Sequence, residues 1–186
     1  MTPQRARVEL RTPTPADRDE FVAAMRASRR LHRPWLQSMG TPEAYDRVLD
    51  RTQDDRYDPM LVCFRDHGPI VGFINISEIV RGPFQSAFLS YGAVAGHAGH
   101  GYMNEGLQLV LARAFNDLRL HRLEANIQPG NEASLRLVRR QGFRKEGYSP
   151  DMLFIDGAWR GHERWAITRE MTSFPPVGPH PTLPSR

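Results

Sequence analysis

The sequence predicts an α+β domain, with a mixed, mostly antiparallel sheet of about seven strands and about four helices packed on it. Three observations carry this. The apolar runs 61–65, 70–79 and 86–94 are separated by the turn signals His67-Gly68-Pro69 and Gly82-Pro83, which reads as an antiparallel meander. Leu107, Val110, Leu111, Ala114, Phe115 and Leu118 then recur at i, i+3, i+4, i+7, i+8 and i+11, the period of an amphipathic helix. Finally, strand-like runs at 151–155 and 163–168 flank Asp156-Gly157, a hairpin signal.

The remaining elements follow in chain order. Residues 8–11 alternate and read as a first strand. Thr14-Pro15-Ala16-Asp17 combines a capping hydroxyl, a proline at the first helical position and a carboxylate three residues on, and Phe21, Ala24, Met25 and Ser28 give the helix one inward face. Thr41-Pro42-Glu43 starts a second helix that buries Tyr45, Val48 and Leu49. Between the two, residues 31–36 are expected to form an extended link carrying Trp35, because Pro34 restricts the residue before it. Residues 123–128 read as a short strand and 131–141 as a helix closed by Gly142. The expected organisation is one domain over 1–173 and a poorly ordered, proline-rich tail at 174–186.

Composition narrows the chemistry. The 186 residues are 40% hydrophobic and 25% charged, with a formal net charge of +4. Of the 25 basic residues all but Lys145 are arginine, so amine chemistry such as a Schiff base would rest on one position. Cys63 is the only cysteine, which excludes an internal disulfide and a cysteine-pair zinc site, and a cytoplasmic setting is expected. There is no apolar run long enough for a membrane span and no signal-like start, so no membrane partner is expected. Basic pairs such as Arg29-Arg30 and Arg139-Arg140 are too scattered to predict nucleic-acid binding. His97 and His100 have no carboxylate at ligand spacing, and no metal is expected.

The informative junction is a strand, then Ala98-Gly99-His100-Gly101-Tyr102-Met103, then the strongest helix. Glycines alternating with other residues let backbone N–H groups converge, and the helix start adds partial positive charge, so the segment suits a pyrophosphate; a flexible linker is the plainer alternative. It is neither a Walker loop nor the three-glycine dinucleotide fingerprint. Farther on, Asn131 caps a helix on which Ser134 sits one turn in, as a helix-face hydroxyl or as a ligand contact.

Together these residues resemble the GNAT superfamily of acetyl-CoA-dependent N-acyltransferases. The family's pyrophosphate-loop pattern falls on residues 98–103: Gly101 fits, whereas Ala98 replaces its polar first residue and Met103 its small last one. The later pattern is met by Asn131, Ser134, Gly142 and Phe143. Within the superfamily the chain looks like the RimJ/RimL-type protein N-terminal acetyltransferases, nearest the RimJ branch. The strings that carry this are Val80-Arg81-Gly82-Pro83-Phe84, His121-Arg122-Leu123-Glu124-Ala125, Lys145-Glu146-Gly147-Tyr148 and Leu153-Phe154-Ile155-Asp156-Gly157-Ala158-Trp159 with His162.

The resemblance implies the GNAT fold with a V-shaped splay in its sheet, acetyl-CoA as co-substrate in that gap, and direct attack by an amine. It implies that amides of Gly99, His100, Gly101, Tyr102 and Met103 hold the pyrophosphate, that an N–H among Ala93, Val94 and Ala95 polarises the thioester, and that Asn131 and Ser134 contact the cofactor. Ser134 matches the serine proposed to protonate the leaving thiolate; the tyrosine many members use instead falls on Val138. Base candidates are Glu78, on a central strand before the gap, and Asp151, on a strand expected to line the substrate side. Trp35 is a candidate substrate rim or a core anchor. The expected acceptor is the N-terminus of a protein or peptide, a ribosomal protein among them, with the enzyme a monomer or homodimer. A small amine such as an aminoglycoside or polyamine, or a non-catalytic acyl-CoA-binding role, are the alternatives.

Overall fold

The computed structural model describes residues 6–174, and its elements start where the apolar pattern changes period. β1 (Val8–Arg11) leads into α1 (Arg18–Ala27), α2 (Arg29–His32) and α3 (Pro42–Arg51). The meander follows as β2 (Asp58–Phe64), β3 (Ile70–Val80) and β4 (Ser86–Ala93). Then come α4 (Tyr102–Ala112), β5 (Arg122–Ile127), α5 (Glu132–Arg140), β6 (Arg144–Ile155) and β7 (Ala158–Thr168). All seven strands join one sheet in the order β1-β2-β3-β4-β5-β7-β6, antiparallel except for β4 beside β5.

Helices cover both faces of this sheet, which explains the unbroken apolar run in β2. Met60 and Val62 join the core under α4 and α5, with Leu107, Val110, Phe115, Leu135 and Val138. Leu61 and Cys63 point the other way, to Phe21, Met25 and Tyr45 of α1 and α3. Each such fully buried large side chain contributes about 1.5–3 kcal/mol. At the entry to α1 the N–H and hydroxyl of Thr14 both donate to Asp17 Oδ2, at 2.9 and 2.7 Å, and Arg11 pairs with Oδ1 at 2.8 Å.

Several boundaries differ from the sequence expectation. The 31–36 link is only partly extended: Leu31 and His32 belong to α2, since Pro34 constrains Arg33 alone, and Leu36 N–H returns to the His32 carbonyl at 3.0 Å. β6 starts at Arg144 and β7 at Ala158, well ahead of the runs expected to begin at 151 and 163. As an edge strand β6 is charged and bulged, features that protect an edge and hide it from an apolar pattern. Phe174 packs its ring against Phe115 at 6.2 Å; the rest of the expected tail lies outside the described residues. Among the described residues no helix is long and apolar enough to cross a membrane.

His162 is 2% exposed on β7, with Nδ1 2.8 Å from the Arg160 carbonyl. Burial lowers its pKa below the ordinary histidine value, and the carbonyl bond opposes this only in part. The folded state therefore binds fewer protons than the unfolded chain, so stability is complete above about pH 6.5 and declines as the pH falls below it. Melting temperatures at pH 7.5 and 5.0 are expected to separate more for the wild type than for His162→Gln; equal separation would assign the acid sensitivity to other groups.

Candidate active site

β4 and β5 pair only from Ser86↔Arg122 to Leu89↔Ala125, although β4 runs on to Ala93 and β5 to Ile127. Beyond Leu89 the two strands part and leave a gap. Val94 N–H donates to the Val71 carbonyl at 2.8 Å, and from there the antiparallel alternation turns the amides of Ala93 and Tyr91 away from β3, toward the gap. The Ala93 carbonyl sits 2.8 Å from His32 Nε2, while Ala95 N–H donates to Ser28 Oγ at 2.9 Å. Of the three amides expected to face a thioester, those of Val94 and Ala95 are thus already bonded within the protein, and Ala93 supplies the one that faces the gap.

The loop after β4 makes one turn at Ala95–His97 and then passes through Gly99 and Gly101, at φ of 82° and 86°. Only glycine takes these left-handed values without strain. Asn104 and Glu105 N–H groups both bond to the Gly101 carbonyl, whereas among the described residues no acceptor meets the amides of Gly99, His100, Gly101, Tyr102 or Met103. The unusual Met103 keeps its amide on the loop and turns its side chain to the sheet: a Cβ on Gly72 would lie 2.3 Å from its sulfur. His97 and His100 pack on aromatic rings, His97 edge-on to Phe64 and His100 stacked on Tyr102.

On α5, Asn131 performs the capping task, its Oδ1 accepting from Ser134 N–H at 3.2 Å. The Ser134 hydroxyl stays available and lies near the Tyr91 hydroxyl without forming a hydrogen bond to it. Burial pushes the Tyr91 phenol up to about 12, and the neighbouring Ser134 pulls the other way. Tyr91 Oη on β4 and Asn126 Oδ1 on β5 are buried with no partner among the described residues, on the stretches where the two strands diverge. Leaving such groups unmet costs about 1–3 kcal/mol each, a cost a polar ligand in the gap can relieve. These atoms and the unbonded loop amides fit a cofactor with a pyrophosphate and an amide-bearing arm.

On the opposite face, the segment after α2 roofs the end of the gap. Trp35 packs on Gly130, where a Cβ would come within 3.1 Å of its ring, a contact that anchors the segment. Gln128 Nε2 donates to the Pro34 carbonyl at 3.3 Å, and Gln37 Nε2 to the Phe154 carbonyl at 3.3 Å. Arg33 grips Asp156 of the β6–β7 hairpin at 2.9 and 3.0 Å. Between segment and hairpin lies a cavity of about 280 Å³, with Met25, Leu36 and Phe154 beside Arg29, Arg33 and Asp156. Its one carboxylate is already paired, and among the described residues nothing pairs with Arg29.

The two base candidates stand apart from this assembly. Glu78 lies in a bulge of β3 at φ 51°, level with the closed end of the β4–β5 pair, and accepts from the Tyr57 hydroxyl at 2.6 Å. Asp151 is exposed in a bulge of edge strand β6, with β7 between it and β5. Arg7, Tyr91, Asn126 and the pairing of Arg33 with Asp156 escaped the sequence reading, because their roles depend on partners remote in sequence; only the orphaned polar residues in apolar strands carried a local hint.

A family model described as an acetyltransferase (GNAT) domain matches residues 7–144. The chain is 40% identical over 103 residues to ribosomal protein uS5-alanine N-acetyltransferase of Escherichia coli, covering 55% of this chain and 53% of that protein. It is 39% identical over 98 residues to probable N-acetyltransferase YjcK of Bacillus subtilis, covering 53% and 54%. It therefore spans about half the length of the curated relatives it matches. Among solved structures, Mycobacterium smegmatis RimJ in complex with CoA-disulfide aligns with a TM-score of 0.83 at 26% identity, over 90% of this chain and 84% of that one. A Vibrio cholerae spermidine N-acetyltransferase in complex with CoA and spermine aligns at 0.76 with 18% identity, over 89% and 97%, a likeness of fold.

Proposed function

The chain belongs to the GNAT acetyltransferase family, and we propose that it transfers the acetyl group of acetyl-CoA to the N-terminal amine of a protein, as the ribosomal-protein acetyltransferase it resembles does by name. The observation that carries the transfer is the line of unbonded donors running from the Gly99–Met103 amides to the Ala93 amide in the gap. Acetyl-CoA, when bound, supplies an activated acyl group. The loop amides and the first turn of α4 hold its phosphates. Ala93 N–H polarises the carbonyl that is attacked. Ser134 would give a proton to the departing sulfur and recover one, by way of water, from the ammonium formed on attack, with Tyr91 behind it. Fixing the reactants in this geometry supplies much of the rate.

An N-terminal amine has a pKa near 8, so a useful fraction is neutral at pH 7 and no strong base beside it is required. Glu78 is too remote to take that part, and Asp151 stands at the edge of the sheet. The acceptor class follows from charge. With Arg29 unpaired and Asp156 held by Arg33, the cavity repels polycations such as spermidine and tolerates a peptide carrying a single cationic amine.

Thiol release with acetyl-CoA and a panel of N-terminal peptides, spermidine and an aminoglycoside tests this. The peptides are expected to exceed the polycations by about 100-fold in kcat/KM, the scale of two or three kcal/mol of charge discrimination. Transfer confined to the polycations would reverse the acceptor assignment, and binding of acetyl-CoA with no transfer to any amine would favour an acyl-CoA-binding module.

A further inference from the structure

We propose that Arg7 aims the phosphate-binding loop, acting from outside it as a positioning residue; the inference rests on reading that loop as a pyrophosphate cradle. Ala98 has no polar side chain with which to order the loop. Arg7, just ahead of β1, reaches the loop through a fixed set of contacts. Its Nη2 donates to the His100 carbonyl at 2.9 Å, its Nε to Glu105 Oε1 at 2.7 Å, and its own backbone N–H to Glu105 Oε2 at 2.7 Å. The guanidinium lies over the Tyr102 ring, 4.5 Å from its centroid. One carboxylate of α4 thus grips Arg7 by both backbone and side chain, and the Nη2 that lies 2.5 Å from Glu105 Oε1 also reaches the His100 carbonyl.

The consequence follows from peptide geometry. His100 C=O and Gly101 N–H share one planar trans peptide, in which carbonyl and amide point in opposite directions. Drawing the carbonyl outward to Arg7 turns the Gly101 N–H inward, to the side where the neighbouring unbonded amides lie. A Cβ on Gly101 would meet Arg7 Nη2 at 3.3 Å, which shows how closely the guanidinium stands against this peptide. Because Glu105 already balances the charge of Arg7, its part is directional more than electrostatic. A lysine offers a point charge and cannot bond Glu105 and the His100 carbonyl in the same fork.

The test compares acetyl-CoA with S-acetylpantetheine, which has the thioester and no pyrophosphate, in the wild type, Arg7→Ala and Arg7→Lys. Arg7→Ala is expected to raise KM for acetyl-CoA about tenfold, the worth of one well-aimed charge-assisted hydrogen bond, while kcat and KM for S-acetylpantetheine hold. Arg7→Lys is expected to lose nearly as much. An unchanged KM in Arg7→Ala, an equal loss on both thioesters, or full retention in Arg7→Lys would overturn the positioning role with the cradle reading intact. A wild type that binds both thioesters equally would instead remove the cradle itself. Since Arg7 is exposed, melting temperatures of the free variants are expected to stay near wild type, which separates aim from folding.

Discussion

Gly101→Pro is expected to give a folded protein that acetyl-CoA no longer stabilises. Gly101 sits at φ 86°, and proline is confined near −65°, so the substitution cannot keep the native loop. It also deletes the amide that the His100 carbonyl and Arg7 turn inward, and its Cβ would crowd the Arg7 guanidinium. Loss of one aimed donor together with the shape of the cradle is expected to weaken binding by at least about 100-fold. Saturating acetyl-CoA should then raise the wild-type melting temperature by several degrees and leave the variant unmoved. Gly101→Ala, which keeps the amide but strains the backbone, should fall between. Circular dichroism checks that the variant retains its sheet, and a wild-type shift in Gly101→Pro would place the phosphates elsewhere.

Ser134→Ala is expected to lower kcat about 100-fold, at the lower end of what a positioned proton donor contributes, while KM for acetyl-CoA stays within a fewfold. The substitution is well suited to the question. The Asn131 cap bonds Ser134 through its backbone N–H, which alanine keeps, so α5 should remain formed. The hydroxyl alone is removed, and with it the polar group that neighbours the buried Tyr91 phenol. Tyr91→Phe should reduce kcat by less, since it supports the donor and does not touch sulfur. A raised KM with unchanged kcat in Ser134→Ala would make the serine a binding contact and remove it from the proton path.

Much of this was legible from local pattern. The helix at 102–112 declared itself because its apolar residues face one deep core, and the β2 run because both faces of its strand are covered. The glycine turn at Gly99 and Gly101 and the Asn131 cap were legible because backbone conformation and capping are short-range properties. Four kinds of fact were out of reach. Edge strand β6 has little apolar signal over residues 144–151. Which β4 amides are free depends on hydrogen-bond parity with β3, so Val94 and Ala95 looked equivalent to Ala93. Glu78 lies on a central strand, as expected, but only the register shows that it stands at the closed end of the sheet. Arg7 and Glu105 are separated by most of the sequence, and no spacing rule joins them.

Beyond Leu89 the parting of β4 and β5 is flanked by different elements on the two faces of the sheet. The phosphate loop and Ser134 lie with α4 and α5, whereas the cavity by Arg29 and Asp156 lies with α2 and the β6–β7 hairpin. On the proposed reading, an acceptor docked over that cavity would leave the loop face uncovered, and coenzyme could be exchanged there while the acceptor stays in place.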